Sequence, residues 1–198
     1  MQPRQLPSEK AADRRVQKTR NALRLAMMEL MVDTGWDAME IQMLCERANI
    51  GRSTFYEHYP SKEALLAANF MELQNTLLRE SASASAQEMP FLSGLLNHVY
   101  ESRDVFRALL GRRSGQYVQL RFKEFLMALL ETAPPVPKAP KWQASARAHF
   151  LAGALFEVLV WWLGSNRPQK PADIEILFRQ WSHAAAFRMA ETLPCPAP

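Results

Sequence analysis

The feature that most limits the fold of this chain is its shortage of residues that favour β-strands. Its 198 residues include 27 Ala, 25 Leu and 10 Met, but only 8 Val, 4 Ile and 6 Thr. The first group favours helices, whereas the β-branched group packs well in sheets. The composition therefore predicts an all-α protein of one domain or two small ones and nearly excludes a substantial sheet.

Cysteine content and hydropathy limit where the protein works. Two cysteines, Cys45 and Cys195, are too few for the disulfide framework of a small secreted domain, and no secretory signal pattern opens the chain. The longest apolar stretch, residues 150–164, is short for a bilayer and carries Glu157 at its middle. We therefore expect a cytoplasmic protein without a membrane partner, in which this stretch is a buried helix.

Apolar periodicity and helix breakers divide the chain into about nine helices and four regions. The predicted helices are 16–34, a short one near 40–48, 52–59, one that starts after Ser61, 90–101, 104–110, 115–132, 142–164 and 172–193. Residues 1–28 hold seven Lys or Arg against two acids. The predicted regions are a flexible basic arm (1–15), a first, smaller helical domain (16–62), a larger helical domain (63–193) and a disordered tail (194–198).

Two short helices joined by a tight turn at residues 48–51, with a longer helix on each side, form the layout of a helix-turn-helix. Phe55 and Tyr59 are four residues apart and can both face inward on the second short helix. The outward set is then Arg52, Ser53, Tyr56 and Glu57, flanked by Thr54 and His58. Such side chains can read base edges, and the hydroxyl, imidazole and ammonium groups of Thr54, Tyr56, His58 and Lys62 can reach phosphates.

Residues 16–66, and above all Arg52 to Leu65, resemble the DNA-binding segment of the TetR family of bacterial transcriptional regulators. The resemblance implies an Ω-shaped homodimer of nine-helix chains, with an N-terminal helix-turn-helix domain and a C-terminal ligand-binding and dimerisation domain. It also implies DNA contacts by Gln42, Arg52, Ser53, Thr54, Tyr56, Glu57, His58 and Lys62.

Three features, one of them a pair of residues, depart from the family pattern. Met39-Glu40 stands where the family has a Thr or Ser pair, Asn49 replaces the turn glycine, and Gly51 replaces the following Ser. The second helix therefore lacks a normal N-cap, and Glu40 faces the DNA unfavourably. We expect a weaker phosphate grip there, compensated by the basic arm reaching the minor groove.

The C-terminal two thirds show no catalytic or metal-ligand spacing, so the sequence predicts neither an enzyme nor a cofactor. Candidate residues for an apolar ligand site are Phe70, Tyr100, Phe106, Tyr117, Phe122, Phe125 and His149. The helix 142–164 is apolar on two faces, which indicates a second partner, taken as the other protomer. Candidate residues for that dimer interface are Leu151, Leu155, Val158, Trp162, Leu177 and Trp181.

Together these features favour a repressor that binds a palindromic DNA operator as a homodimer and is released by an unidentified small molecule. Two alternatives remain open. One is a helical small-molecule-binding protein or enzyme with a vestigial helix-turn-helix. The other is an architectural DNA binder that responds to no ligand.

Overall fold

A computed structural model describes residues 8–82, 88–111, 115–132 and 141–192, and within these ranges the regular structure is entirely helical. The helices are α1 (Ser8–Asp33), α2 (Ile41–Ala48), α3 (Arg52–His58), α4 (Lys62–Glu80), α5 (Leu92–Glu101), α6 (Arg103–Leu110), α7 (Gly115–Glu131), α8 (Lys141–Gly164) and α9 (Pro171–Thr192). The all-α prediction is confirmed, and most predicted helix ends lie within two residues of the observed ones.

The start of α1 differs from the prediction. The helix begins at Ser8, not near Val16, so residues 8–15 of the predicted flexible arm are helical. Helix-forming residues fill this stretch between Pro7 and Gly35, but Leu23 is the first side chain of α1 that is described as buried. Apolar periodicity does not detect the extension, and the side chains of residues 13–15, where burial is described, are exposed. Residues 1–7 and the predicted tail 194–198 lie outside the described residues.

The N-terminal core forms where α1 packs on α2 and α4. Leu23, Leu44, Phe55 and Leu65 come from four successive helices and are all fully buried. Burial of this kind is the main driving force for folding such short helices, which are marginal in isolation. The core therefore holds α2 and α3 in one orientation.

The larger helical domain is built on the pairing of α7 with α8 and of α5 with α9, and α6 contacts α1, α7 and α8. Arg179 on α9 donates hydrogen bonds to the backbone carbonyls of Glu88 and Met89, and Arg147 on α8 pairs with the Glu88 carboxylate. The short segment before α5 is thus fastened to both long C-terminal helices.

Helix α8 is long and apolar enough to cross a membrane by length and composition alone, with a mean hydropathy of 1.3 in an 18-residue window within residues 142–164. Core helices of soluble proteins pass the same test. Leu155 and Trp162 of this helix are 0% and 1% exposed, and α7 packs against it. One face of α8 is therefore covered by the protein itself.

The same burial corrects part of the predicted dimer interface. Leu151, Leu155 and Trp162 lie inside the protomer, while Val158 and Leu177 are half-buried and Trp181 is exposed. A side chain that is buried in its own core offers no surface to a partner. The large apolar side chains of α8 that are exposed are Trp142, Phe150 and Trp161.

Candidate DNA-binding surface

The turn between α2 and α3 has the predicted tight geometry. Asn49 adopts the left-handed conformation, with φ 52° and ψ 49°, and its N–H donates to the carbonyl of Glu46. Ile50 donates to the carbonyl of Cys45, which closes the end of α2. Asn accepts this conformation more readily than other non-glycine residues, so its substitution for glycine preserves the turn.

Helix α3 is held by one buried side chain and bounded by two extended residues. Phe55 is 0% exposed and contacts the rings of Tyr56 and Tyr59. Gly51 precedes the helix with extended backbone, and Tyr59 ends it in the same region before Pro60. Because seven residues make only two turns, anchoring Phe55 fixes which side chains face outward.

The outward face of α3 has the predicted composition. Arg52, Ser53, Tyr56 and Glu57 are exposed, and Thr54 and His58 are half-buried beside them. Tyr56 keeps 51% of its surface exposed although it follows the fully buried Phe55. Donors and acceptors on a solvent-facing helix are what recognition in the major groove requires.

The N-terminus of α2 lacks a side-chain cap, as predicted from Glu40. Gln42 on the same helix is exposed, but its amide donates to the Glu46 carboxylate at 2.9 Å. Arg47 forms ion pairs with Glu29 and Asp33 of α1. The carboxylates hold the pKa of Arg47 above its usual value, and its charge serves to join two helices.

Lys62 has a different environment from the predicted one. Its Nζ donates to the backbone carbonyls of Trp36 and Met39, at 2.9 and 2.7 Å, and lies 4.7 Å from the centre of the Trp36 ring. Two of its three N–H donors are therefore used inside the domain. Sequence reasoning missed this because the accepting carbonyls lie 23 and 26 residues away in the chain.

Burial also affects two titratable groups near this surface. Desolvation raises the pKa of the Cys45 thiol, although the charge of Arg52 acts in the opposite direction. Desolvation raises the pKa of the Tyr59 hydroxyl as well, opposed by Arg20. Both groups are uncharged at neutral pH, which suits residues that pack against the core.

A cleft with a volume of about 740 Å³ lies beside Tyr59, between α1 and α4. Gln17 and Arg20 line it from α1, and Glu72 and Arg79 from α4. It is open to solvent and is lined by both polar and apolar side chains, and none of the predicted apolar ligand residues is among them.

The predicted ligand residues do not come together at one place. Phe70, Phe106, Phe122 and Phe125 form a cluster with ring centres 5.4 to 5.9 Å apart. Tyr100 stacks on Trp162, Tyr117 stacks on Trp36, and His149 is exposed on α8. The cavity beside Tyr100 measures only about 10 Å³, which is room for about one water.

Comparison with known proteins agrees with this geometry. Residues 24–68 match the family model described as bacterial regulatory proteins, TetR family, a segment that contains α2, α3 and the turn between them. The chain is therefore similar to TetR-family regulators over residues 24–68. Its fold class, with a helix-turn-helix domain followed by a helical domain, is that of TetR-family structures.

Individual relatives cover different parts of this chain. It is 27% identical to the TetR transcriptional regulator from Streptococcus agalactiae 2603V, with a TM-score of 0.64 over 87% of this chain and 98% of that one. FadR of Thermus thermophilus, a transcriptional repressor solved with lauroyl-CoA, is 18% identical over 90% of this chain and 98% of its own, with a TM-score of 0.58. This second likeness shows the fold alone.

A curated relative shares only the N-terminal part. The uncharacterized HTH-type transcriptional regulator YxbF of Bacillus subtilis is 38% identical over 65 residues, which are 32% of this chain and 17% of that protein. The match to YxbF therefore bears on the DNA-binding domain and not on the rest.

No three His, Cys, Asp or Glu side chains group as metal ligands within the residues that the structure describes.

Proposed function

We propose that this chain is a cytoplasmic transcriptional regulator of the TetR family, which binds a palindromic operator as a homodimer and is released by a small molecule. The observation that carries the proposal is the outward polar face of α3, presented by a fully buried Phe55. A helix presented in this way fits the major groove, which admits one α-helix.

The roles of the α3 side chains follow from their chemistry. Arg52 can pair with both acceptors of a guanine, and Glu57 can accept from a cytosine amino group. Thr54, Tyr56 and His58 flank them with donors suited to phosphate oxygens. Arg52 therefore sets base preference, whereas Tyr56 sets affinity for any sequence.

The dimer is supported by the apolar surface that the protomer leaves uncovered. Trp142, Phe150 and Trp161 on α8 are exposed by 65%, 59% and 56%, and Ile176 and Trp181 on α9 by 56% and 57%. Phe150 and Trp161 are three turns apart and share one face of α8. Large exposed aromatics concentrated on two helices are typical of an interface, and a twofold axis would join four helices there.

A twofold dimer would place two α3 helices about 34 Å apart, at successive major grooves. A ligand that changed this separation would lower operator affinity without touching Arg52 or Tyr56, and the operator would lower ligand affinity by the same factor. The Phe70 cluster is the apolar region that an effector would have to enter. FadR of Thermus thermophilus was solved with lauroyl-CoA, and this acyl ligand supports an apolar effector.

The test is selection of duplexes from a random pool, followed by binding at several salt concentrations. We expect recovery of palindromic half-sites and an affinity that falls with salt through phosphate contacts. Arg52→Ala should relax base preference, and Tyr56→Ala should weaken all duplexes alike. Equal binding of all sequences would favour the architectural alternative, and absence of binding would favour a vestigial helix-turn-helix.

The direction of regulation needs a second measurement, because it depends on where the operator lies relative to a promoter. A reporter gene placed behind the recovered operator should be expressed less when the protein is present. Increased expression would identify an activator and overturn the repressor part of the proposal.

A further inference from the structure

The loop between α1 and α2 is held from two sides by different helices. Trp36 in this loop is 3% exposed, and its environment includes Lys62 at the start of α4 and Tyr117 on α7. Helix α4 continues directly from the DNA-binding domain, whereas α7 belongs to the larger helical domain. The loop is thus a contact between the two domains in addition to the chain that connects them.

On the side of α7 the contact is aromatic and electrostatic. The rings of Trp36 and Tyr117 stack with centres 5.8 Å apart and an angle of 11°. Arg121, one turn further along α7, lies 5.2 Å from the centre of the Tyr117 ring and donates to its hydroxyl at 3.1 Å. Stacked pairs with a guanidinium on the ring are favourable beyond the area that they bury.

A second contact lies next to the stack. A Cβ built on Gly115, the first residue of α7, would come within 2.5 Å of the Asp37 carboxylate, so the two residues touch. Gly115 also has a positive φ of 69°, which favours glycine. A carboxylate at the start of a helix interacts favourably with the helix dipole.

On the other side, Lys62 ties the same loop to α4. The carbonyls that its ammonium binds belong to Trp36 and Met39, and Met39 directly precedes Glu40, the N-cap residue of α2. A displacement of Trp36 would therefore reach α2 within four residues, and α3 follows α2 through the tight turn at Asn49.

We propose that Tyr117 is a positioning residue for α3, and that its stack on Trp36 sets the angle at which the larger domain presents α2 and α3 to DNA. The inference rests on the proposed function. The two domains are connected covalently through α4, and they also pack together where α6 contacts α1. The stack is a further attachment between them, and each such attachment restricts rotation of one domain relative to the other. Lys62 contributes to the same positioning, since it donates hydrogen bonds to the loop that Tyr117 contacts.

The chain offers a matched control for this proposal. Tyr100 also stacks on a tryptophan, Trp162, with centres 5.9 Å apart and an angle of 19°, but both residues lie in the larger domain. Tyr117→Leu and Tyr100→Leu therefore each remove one Tyr–Trp stack of similar geometry. Tyr117→Phe keeps the ring and loses only the hydroxyl that Arg121 contacts.

The experiment measures amide hydrogen exchange of the full-length variants without DNA. We expect Tyr117→Leu to speed exchange in residues 36–48 about three- to tenfold, while Tyr100→Leu leaves these residues unchanged. Tyr117→Phe should exchange like the parent. Equal rates in both leucine variants would overturn the proposal, and so would faster exchange spread evenly over the whole of the Tyr117→Leu chain.

A DNA readout completes the test. Binding is measured to the selected operator and to operators with one base pair added between the half-sites, and the ratio of the two affinities is the discrimination. We expect Tyr117→Leu to reduce this ratio about three- to tenfold relative to the parent protein. Arg52 and Tyr56 are unchanged, so the preferred half-site should stay the same. A parent protein that selects no operator would contradict the proposed function, whereas the exchange result would still decide the role of Tyr117.

Discussion

Helix α3 and the outer face of α8 and α9 both project large side chains into solvent, but their chemistry differs. On α3 the exposed groups are an arginine, hydroxyls and a carboxylate around one buried Phe55. On α8 and α9 they are tryptophans, a phenylalanine and an isoleucine. A polar helix face of the first kind is stable in water alone, whereas an apolar face of the second kind gains free energy when it is covered.

This difference indicates two kinds of partner for one chain. The groups on α3 can form hydrogen bonds to bases and phosphates, whose strength falls with salt. The aromatics on α8 and α9 can bury area against another apolar surface, and this gain depends little on salt. DNA binding and self-association are therefore separable by substitution.

The largest effect is expected from changing the apolar face. Trp161→Glu together with Trp181→Glu places a charge where the proposed dimer buries a ring, twice on each protomer. Interface tryptophans commonly contribute about 2 kcal/mol or more each, so the dimer dissociation constant should rise more than about 100-fold. Sedimentation over a range of protein concentrations measures this. Leu120→Glu, at an exposed apolar position on α7, is the matched control. A double variant that sediments as the parent does would show that the two copies meet elsewhere.

Two adjacent residues on α3 should separate stability from DNA binding. Phe55→Ala removes a fully buried ring, and we expect it to lower the free energy of unfolding by about 3 to 5 kcal/mol. Tyr56→Ala changes an exposed side chain and should alter that free energy by less than about 0.5 kcal/mol. Chemical denaturation and duplex binding measure the two effects. A large loss of stability in Tyr56→Ala would mean that its ring packs and does not read DNA.

The same pair of regions shows what the sequence could predict. Around α3, breakers at Gly51 and Pro60 and a single buried ring leave one way for a two-turn helix to face, and the predicted outward set is the observed one. In α8 two faces of the helix are apolar, so periodicity alone could not decide which face packs inside the protomer. The protein buries Leu155 and Trp162 and leaves Phe150 and Trp161 exposed.

Contacts that are distant in sequence set the other limit. Lys62 binds carbonyls of the α1–α2 loop, and Tyr117 reaches Trp36 from α7. Neither contact leaves a periodic or local signal. The predicted ligand set separated for the same reason, since aromatic residues at helical spacing do not reveal which helices will be neighbours.

Two of the described non-glycine residues have a positive φ, one in each domain. We expect their substitution by glycine to change stability by smaller amounts and in opposite directions. Met89 has a φ of 57° and is 1% exposed, whereas Asn49 has a φ of 52° and is exposed. Met89→Gly relieves the backbone but empties a buried site, so we expect a net loss of about 2 kcal/mol. Asn49→Gly loses no burial and should leave the protein equally stable or stabilise it by up to about 1 kcal/mol. Thermal unfolding of both variants measures the contrast, and a loss of stability in Asn49→Gly would show that its side chain contributes to the turn.

The smallest expected effect is a pH dependence that only the larger domain should contribute. His98 on α5 is half-buried with its ring edge-on to Phe106, and burial lowers its pKa below the usual 6.5. The nearby Glu101 opposes this shift, whereas Arg24 adds to it. His98 binds a proton more readily in the unfolded chain than in the folded one. Its contribution to the free energy of unfolding is therefore complete above pH 6.5. This contribution is lost as the pH falls from 6.5 towards the lower pKa of the folded state.

Denaturation at pH 7.5, 6.5 and 5.5 and constant ionic strength should therefore show a decline in the free energy of unfolding, and His98→Gln should make this decline shallower. The exposed His149→Gln is the matched control for loss of an imidazole. An equally steep decline in His98→Gln would contradict the assignment of the pH dependence to His98.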